Sequence, residues 1–133
     1  MRKKTAAIFL ILALLIVLFF TFQTAEGTAS LSETVRMWLE NQDLMIESHA
    51  LRSNIHILEY FILGLAVLAF GMSRGWKLST CVIIGCLIGL IDESIKVLLP
   101  TRGFDVVDLI KDWVGIGLAT ALKSFLNIKV KER

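Results

Sequence analysis

Residues 5–25 read TAAIFLILALLIVLFFTFQTA, 21 positions without one charged side chain. At 1.5 Å per residue, a helix of that length covers about 30 Å, the thickness of a bilayer's hydrocarbon core. Arg2, Lys3 and Lys4 stand directly before it. A basic start followed by an apolar run fits either a secretory leader or a membrane anchor. The run Ala6–Phe22 exceeds the roughly 7–15 residues of a leader's hydrophobic region. The best small-residue exit, Gly27-Thr28-Ala29, lies well downstream. The stretch therefore reads as an uncleaved anchor.

The rest of the chain extends the theme. Of its 133 residues, 56% are hydrophobic and 20% charged. Soluble domains average about 45–50% apolar residues. A disordered chain is excluded by composition, and nine Gly with one Pro and no G-X-Y period exclude a collagen-like one. The net charge is only +2 and the basic residues are scattered, so nucleic acid is not expected as a partner. Cys81 and Cys86 lie five apart in the apolar run Leu78–Ile91, on different faces of a helix, and cannot bridge. They read as small packing residues. What remains is one all-α, polytopic membrane domain over residues 1–133.

Four membrane helices are expected, plus one surface helix between the first and second. In residues 25–54, Leu31, Val35, Trp38, Leu39, Met45 and Ile46 share a face, and the charged residues fall elsewhere. Ser30 and Glu33 have capping-box spacing ahead of it. This predicts an amphipathic helix on the membrane or on the bundle. The second membrane helix is expected from Ser53 or Asn54 to Met72, followed by the basic turn Ser73–Lys77. The third runs from Leu78 to about Leu98, where Pro100 stops it. Asp105 can cap a fourth, running to about Leu122 and weakest by hydropathy.

With the N-terminus in the cytoplasm, inside segments hold nine basic residues and outside segments four: Arg36, Arg52, Lys96 and Arg102. This satisfies the positive-inside rule and puts both termini in the cytoplasm. His56, Glu59, Asp92, Glu93, Asp108 and Asp112, with Arg102 on the loop between, then converge near the outer face. Charges within spans cost roughly 2.5–3.5 kcal/mol each at a helix centre, so they normally face the bundle interior and pair. His56 is three residues before Glu59 and four before Tyr60, and Asp108 is four before Asp112. Lys96 is expected to pair with Asp92 or Glu93, or to reach the interface. The acidic excess calls for a proton, a cation or a partner. No cofactor is expected. The residue types also allow a divalent metal site built from His56, Glu59, Glu93 and Asp112, suited to a hard ion. Structural readings stand beside these: Asp105 and Asp108 as helix caps, and His56 as a partner of Glu59 or a loop carbonyl. Cys81, Gly85 and Gly89 recur every four residues, as do Gly115 with Ala119 and Gly117 with Ala121; they read as close-packing faces.

The pattern resembles the VanZ-like family of bacterial membrane proteins. His56, Tyr60, Leu63 and Gly64 carry the family's second-helix motif, with Glu59 also in its common form. Asp92-Glu93, Pro100-Thr101-Arg102, Asp108, Asp112 and Gly115 follow in the family's order, so the motif region covers about residues 54–117. Lys96 stands where Gln is common, and Thr101 where Gly is usual. The resemblance implies a cell-membrane protein associated with glycopeptide resistance, chiefly to teicoplanin, in Gram-positive bacteria. Three roles follow. The first is a non-enzymatic envelope protein whose outer polar site binds or shields a lipid-linked wall precursor or a lipoglycopeptide. The second is a membrane enzyme acting on a lipid head group; with no nucleophile motif or phosphate loop, catalysis is the less favoured reading. The third is a flippase or transport partner, for which a four-helix chain would act as a homo-oligomer among membrane lipids.

Overall fold

The computed structural model describes residues 3–22, 34, 37, 48–99 and 103–131. They form four helices: α1 (Lys3–Phe22), α2 (Ser48–Ser73), α3 (Leu78–Lys96) and α4 (Val106–Lys131). No strand occurs among the described residues. The surface helix expected over residues 25–54 lies outside them, apart from Thr34, Met37 and the start of α2. Pro100, Thr101 and Arg102 also lie outside them.

The all-α expectation holds, with differences at the helix ends. α2 starts at Ser48, about a turn and a half earlier than expected. α4 continues to Lys131, past the expected end near Leu122, because Lys123–Lys131 contains no Gly or Pro to stop it. Three helical stretches are long and apolar enough to cross a membrane: Lys3–Phe22, Asn54–Ser73 and Leu78–Lys96. α4 is not among them; Asp108, Lys111, Asp112 and Lys123 dilute its apolar character.

The burial pattern runs opposite to that of a soluble bundle. α1 buries only the stripe Ala6, Ala13, Val17 and Thr21. Ile8, Ile11, Leu12, Leu15, Ile16, Leu18, Phe19 and Phe22 stand 41–61% exposed, while Phe9, Leu10 and Leu14 are partly buried against the core. α3 buries Cys81, Gly85, Gly89, Asp92, Glu93 and Lys96 and turns Ile83, Leu87, Leu90 and Ile91 outward. Polar groups and small residues inside, with branched apolar residues outside, are what lipid as solvent demands.

α2 is the central helix and touches each of the other three, α4 most extensively. The shared core contains Tyr60, Leu63, Ala66 and Val67 of α2, Ile116 and Ala119 of α4, and Ala13 and Val17 of α1. Lipid tails are as apolar as Leu, so close van der Waals fit rather than hydrophobic exclusion holds such helices together. Gly115 is where this is tightest. A Cβ there would lie 2.5 Å from the Ile57 carbonyl oxygen and 2.8 Å from the Phe61 nitrogen. Gly115 and Ala119 thus face α2 as a small-residue pair. Gly117 and Ala121 face outward instead, and a Cβ on Gly117 would meet nothing within 4 Å.

Candidate functional site

At one end of the bundle α1 and α3 finish while α2 and α4 begin, and charged side chains of the last three meet there. Lys96 sits one turn beyond Asp92 and Glu93, so one ammonium reaches both. Its Nζ lies 3.2 Å from Asp92 Oδ2 and donates to Glu93 Oε1. All three residues are buried, a placement that charged side chains tolerate only when paired. The other oxygen of Glu93, Oε2, accepts the backbone N–H of Asp105 at 3.2 Å, tying the end of α3 to the start of α4. Asp105 Oδ1 accepts the Val107 N–H at 2.8 Å, the cap its position predicts.

α4 then presents Asp108 and Asp112 one turn apart. Asp108 Oδ1 takes the Lys111 ammonium at 2.9 Å. His56 of α2 lies between the two acids, with Nδ1 3.1 Å from Asp112 Oδ1 and Nε2 3.5 Å from Asp108 Oδ2. Asp112 is fully buried; its Oδ2 and the Tyr60 hydroxyl have no hydrogen-bond partner among the described residues. The Gly115 contact positions this pairing, since it brings α4 against the α2 backbone one turn from both His56 and Asp112.

Of the residues singled out from the sequence, His56, Tyr60, Asp92, Glu93, Asp108 and Asp112 come together. Glu59 is also buried, one turn from His56. Arg102 lies outside the described residues. Lys96 bridges both acids expected for it. The metal-ligand geometry departs from the expected set. Ligand atoms lie within 4.8 Å of one another in two groups, His56/Glu93/Asp108 and Asp92/Glu93/Asp112, and Glu59 is in neither.

One contributor was missed. Thr21 of α1, almost fully buried, donates to Asp92 Oδ1. In an otherwise apolar run it looked like a neutral filler, but it shares a face with Ala13 and Val17. A hydroxyl on a small-residue stripe is the signal that could have found it.

The sequence profile of the VanZ/LLP1 family matches residues 6–127. The chain belongs to the VanZ/LLP1 family. The match begins in α1 and ends in α4, so in this VanZ/LLP1 chain it reaches all four helices and contains the whole polar cluster. Membership and three membrane-length apolar helices mark it as a membrane protein. No curated protein and no solved structure matches it.

Below the cluster the Trp113 indole N–H donates to the Cys86 carbonyl at 3.2 Å, a polar link between α3 and α4.

Proposed function

We propose that this VanZ/LLP1 chain is a multi-pass envelope protein with both termini in the cytoplasm, and that its polar cluster faces the outer leaflet. There it binds or shields a cell-envelope component, such as a lipid-linked wall precursor, and so contributes to resistance against teicoplanin and lipoglycopeptides in Gram-positive bacteria. The observation that carries the reading is the convergence of His56, Glu93, Lys96, Asp108 and Asp112, from three helices, at a single end of the bundle. Placing that end outward follows the nine-to-four distribution of basic residues. Four crossings are supported by the outer face of α4, where Ile110, Val114, Leu118, Leu122 and Phe125 are 40–55% exposed. The bound groups would be polar heads with a lipid tail, since His56 and Asp108 are partly exposed at the end of a bundle whose exterior is apolar.

A catalytic role on a lipid head group is the second reading. The close His56–Asp112 pair favours it, because an imidazole held by a carboxylate is a usable general base.

The test is a deletion strain complemented with wild type or with the Glu59→Ala/Asp112→Ala double variant, vancomycin serving as control. The expected result is selective sensitisation to teicoplanin that wild type rescues and the double variant, at equal expression, does not. Unchanged susceptibility on deletion would overturn the resistance role.

A further inference from the structure

Four carboxylates face one another at the polar end: Asp92, Glu93, Asp108 and Asp112. Two ammonium groups, Lys96 and Lys111, meet them. Among the described residues the acids of the cluster, with Glu59 buried beside them, outnumber these ammonium groups, and a divalent ion would supply positive charge. Two further observations point to such a ligand. The His56 Nε2–Asp108 Oδ2 distance of 3.5 Å exceeds a well-formed hydrogen bond. Two ligands bound at 2.0–2.6 Å to one ion stand roughly 3–4 Å apart. Asp112, fully buried, leaves Oδ2 without a partner and lies within 4.8 Å of Glu93.

We propose that the polar end binds one divalent, oxygen-preferring cation of the Mn2+ type, held by His56 Nε2, Glu93 and Asp108. Asp112 acts from behind. Its Oδ1 holds Nδ1 of His56, which fixes the ring so that Nε2 faces the ion, the carboxylate–histidine–metal arrangement of many metal sites. One imidazole with carboxylates and no thiolate suits Mn2+ better than a structural zinc. Cys81 and Cys86 lie two to three turns down α3 from Glu93. Lys96 and Lys111 each occupy one oxygen of a ligand, so they pre-position the carboxylates and also compete with the ion. The ion would give the site a positive group able to take a phosphate or carboxylate of an envelope ligand. Only that last step rests on the function proposed above.

The experiment is a Mn2+ titration of the full chain in nanodiscs, followed by electron paramagnetic resonance. One bound Mn2+ per chain is expected. Glu93→Gln and Asp108→Asn should abolish it, and Asp112→Asn should weaken it by about tenfold or more. Lys111→Met should bind several times more tightly, because a competing ammonium leaves Asp108; this gain cannot arise from misfolding. Three results would overturn the inference: no stoichiometric binding up to about 1 mM, the weak end of protein cation sites; binding that the Glu93 and Asp108 variants leave intact; or an infrared carboxylic-acid band lost in Asp112→Asn, which would mean that protons meet the charge deficit. Metal binding is read without susceptibility, so this inference and the resistance role fail separately.

Discussion

Where α2 turns into α3, the bundle is closed by backbone geometry and aromatic packing. Trp76 N–H bonds to the Gly71 carbonyl at 2.9 Å and Gly75 N–H to the Met72 carbonyl at 3.1 Å, with Gly75 at φ +82°. This is the Schellman ending of a helix. The Trp76 ring meets Phe70 edge-on at 5.7 Å, and Arg74 lies 5.0 Å over the Phe70 ring. Where α3 turns toward α4, closure is made by ion pairs and side-chain hydrogen bonds reaching all four helices. The first end is local: its partners lie within six residues of one another. The second is non-local: Thr21 bonds a residue 71 positions away, and His56 one 56 positions away. A local closure serves the fold. A buried charged closure costs desolvation that a hydrophobic one avoids, so its presence here calls for a function.

This contrast can be broken at either end. The largest effect is expected from Glu93→Leu, which strips Lys96 of one of its two buried partners. A loss of about 3–5 kcal/mol should appear as a lower thermal midpoint of the detergent-solubilised protein. An unchanged midpoint would mean that the ion pairs do not support the fold. Next is Gly115→Ala, whose Cβ meets α2 backbone that has no freedom to yield. About 1–3 kcal/mol should be lost, and Mn2+ affinity should fall with it as His56 and Asp112 separate. Retention of both would dissociate the close packing from the site. Thr21→Val is expected to cost about 1–2 kcal/mol, because Asp92 keeps its burial and loses a donor; thermal unfolding against wild type measures it. The smallest change is Gly75→Ala at the opposite end, about 1 kcal/mol from a strained positive φ. It should leave Mn2+ binding and teicoplanin rescue untouched. Loss of either would show that the two ends are coupled.

How far these features could be read in advance follows the same division. Helical period and loop positions were enough to bring the acids of α3 and α4 to the level of His56, because each lies within two turns of a helix end. Lys96 was legible from its spacing to Asp92 and Glu93. Partners across helices were not. Pairing within α2 looked natural for His56, whereas in the fold it bridges two acids of α4, an outcome set by the rotation of one helix against another. Thr21 failed for the same reason. Which side of α4 turns inward was only half visible: of two small-residue pairs, Gly115/Ala119 packs on α2 and Gly117/Ala121 faces out, and nothing in their spacing separates them.

The indole of Trp113 stands one residue from Asp112, with its N–H on a carbonyl of α3. Indole emission shifts with polarity and with the loss of such a bond. The protein therefore carries its own optical gauge of the α3–α4 seam, directly beneath the charged end. Its only companions are Trp38 and Trp76. With both replaced by Phe, the remaining emission would report, without any label, whether occupying the charged end loosens or tightens the seam below it.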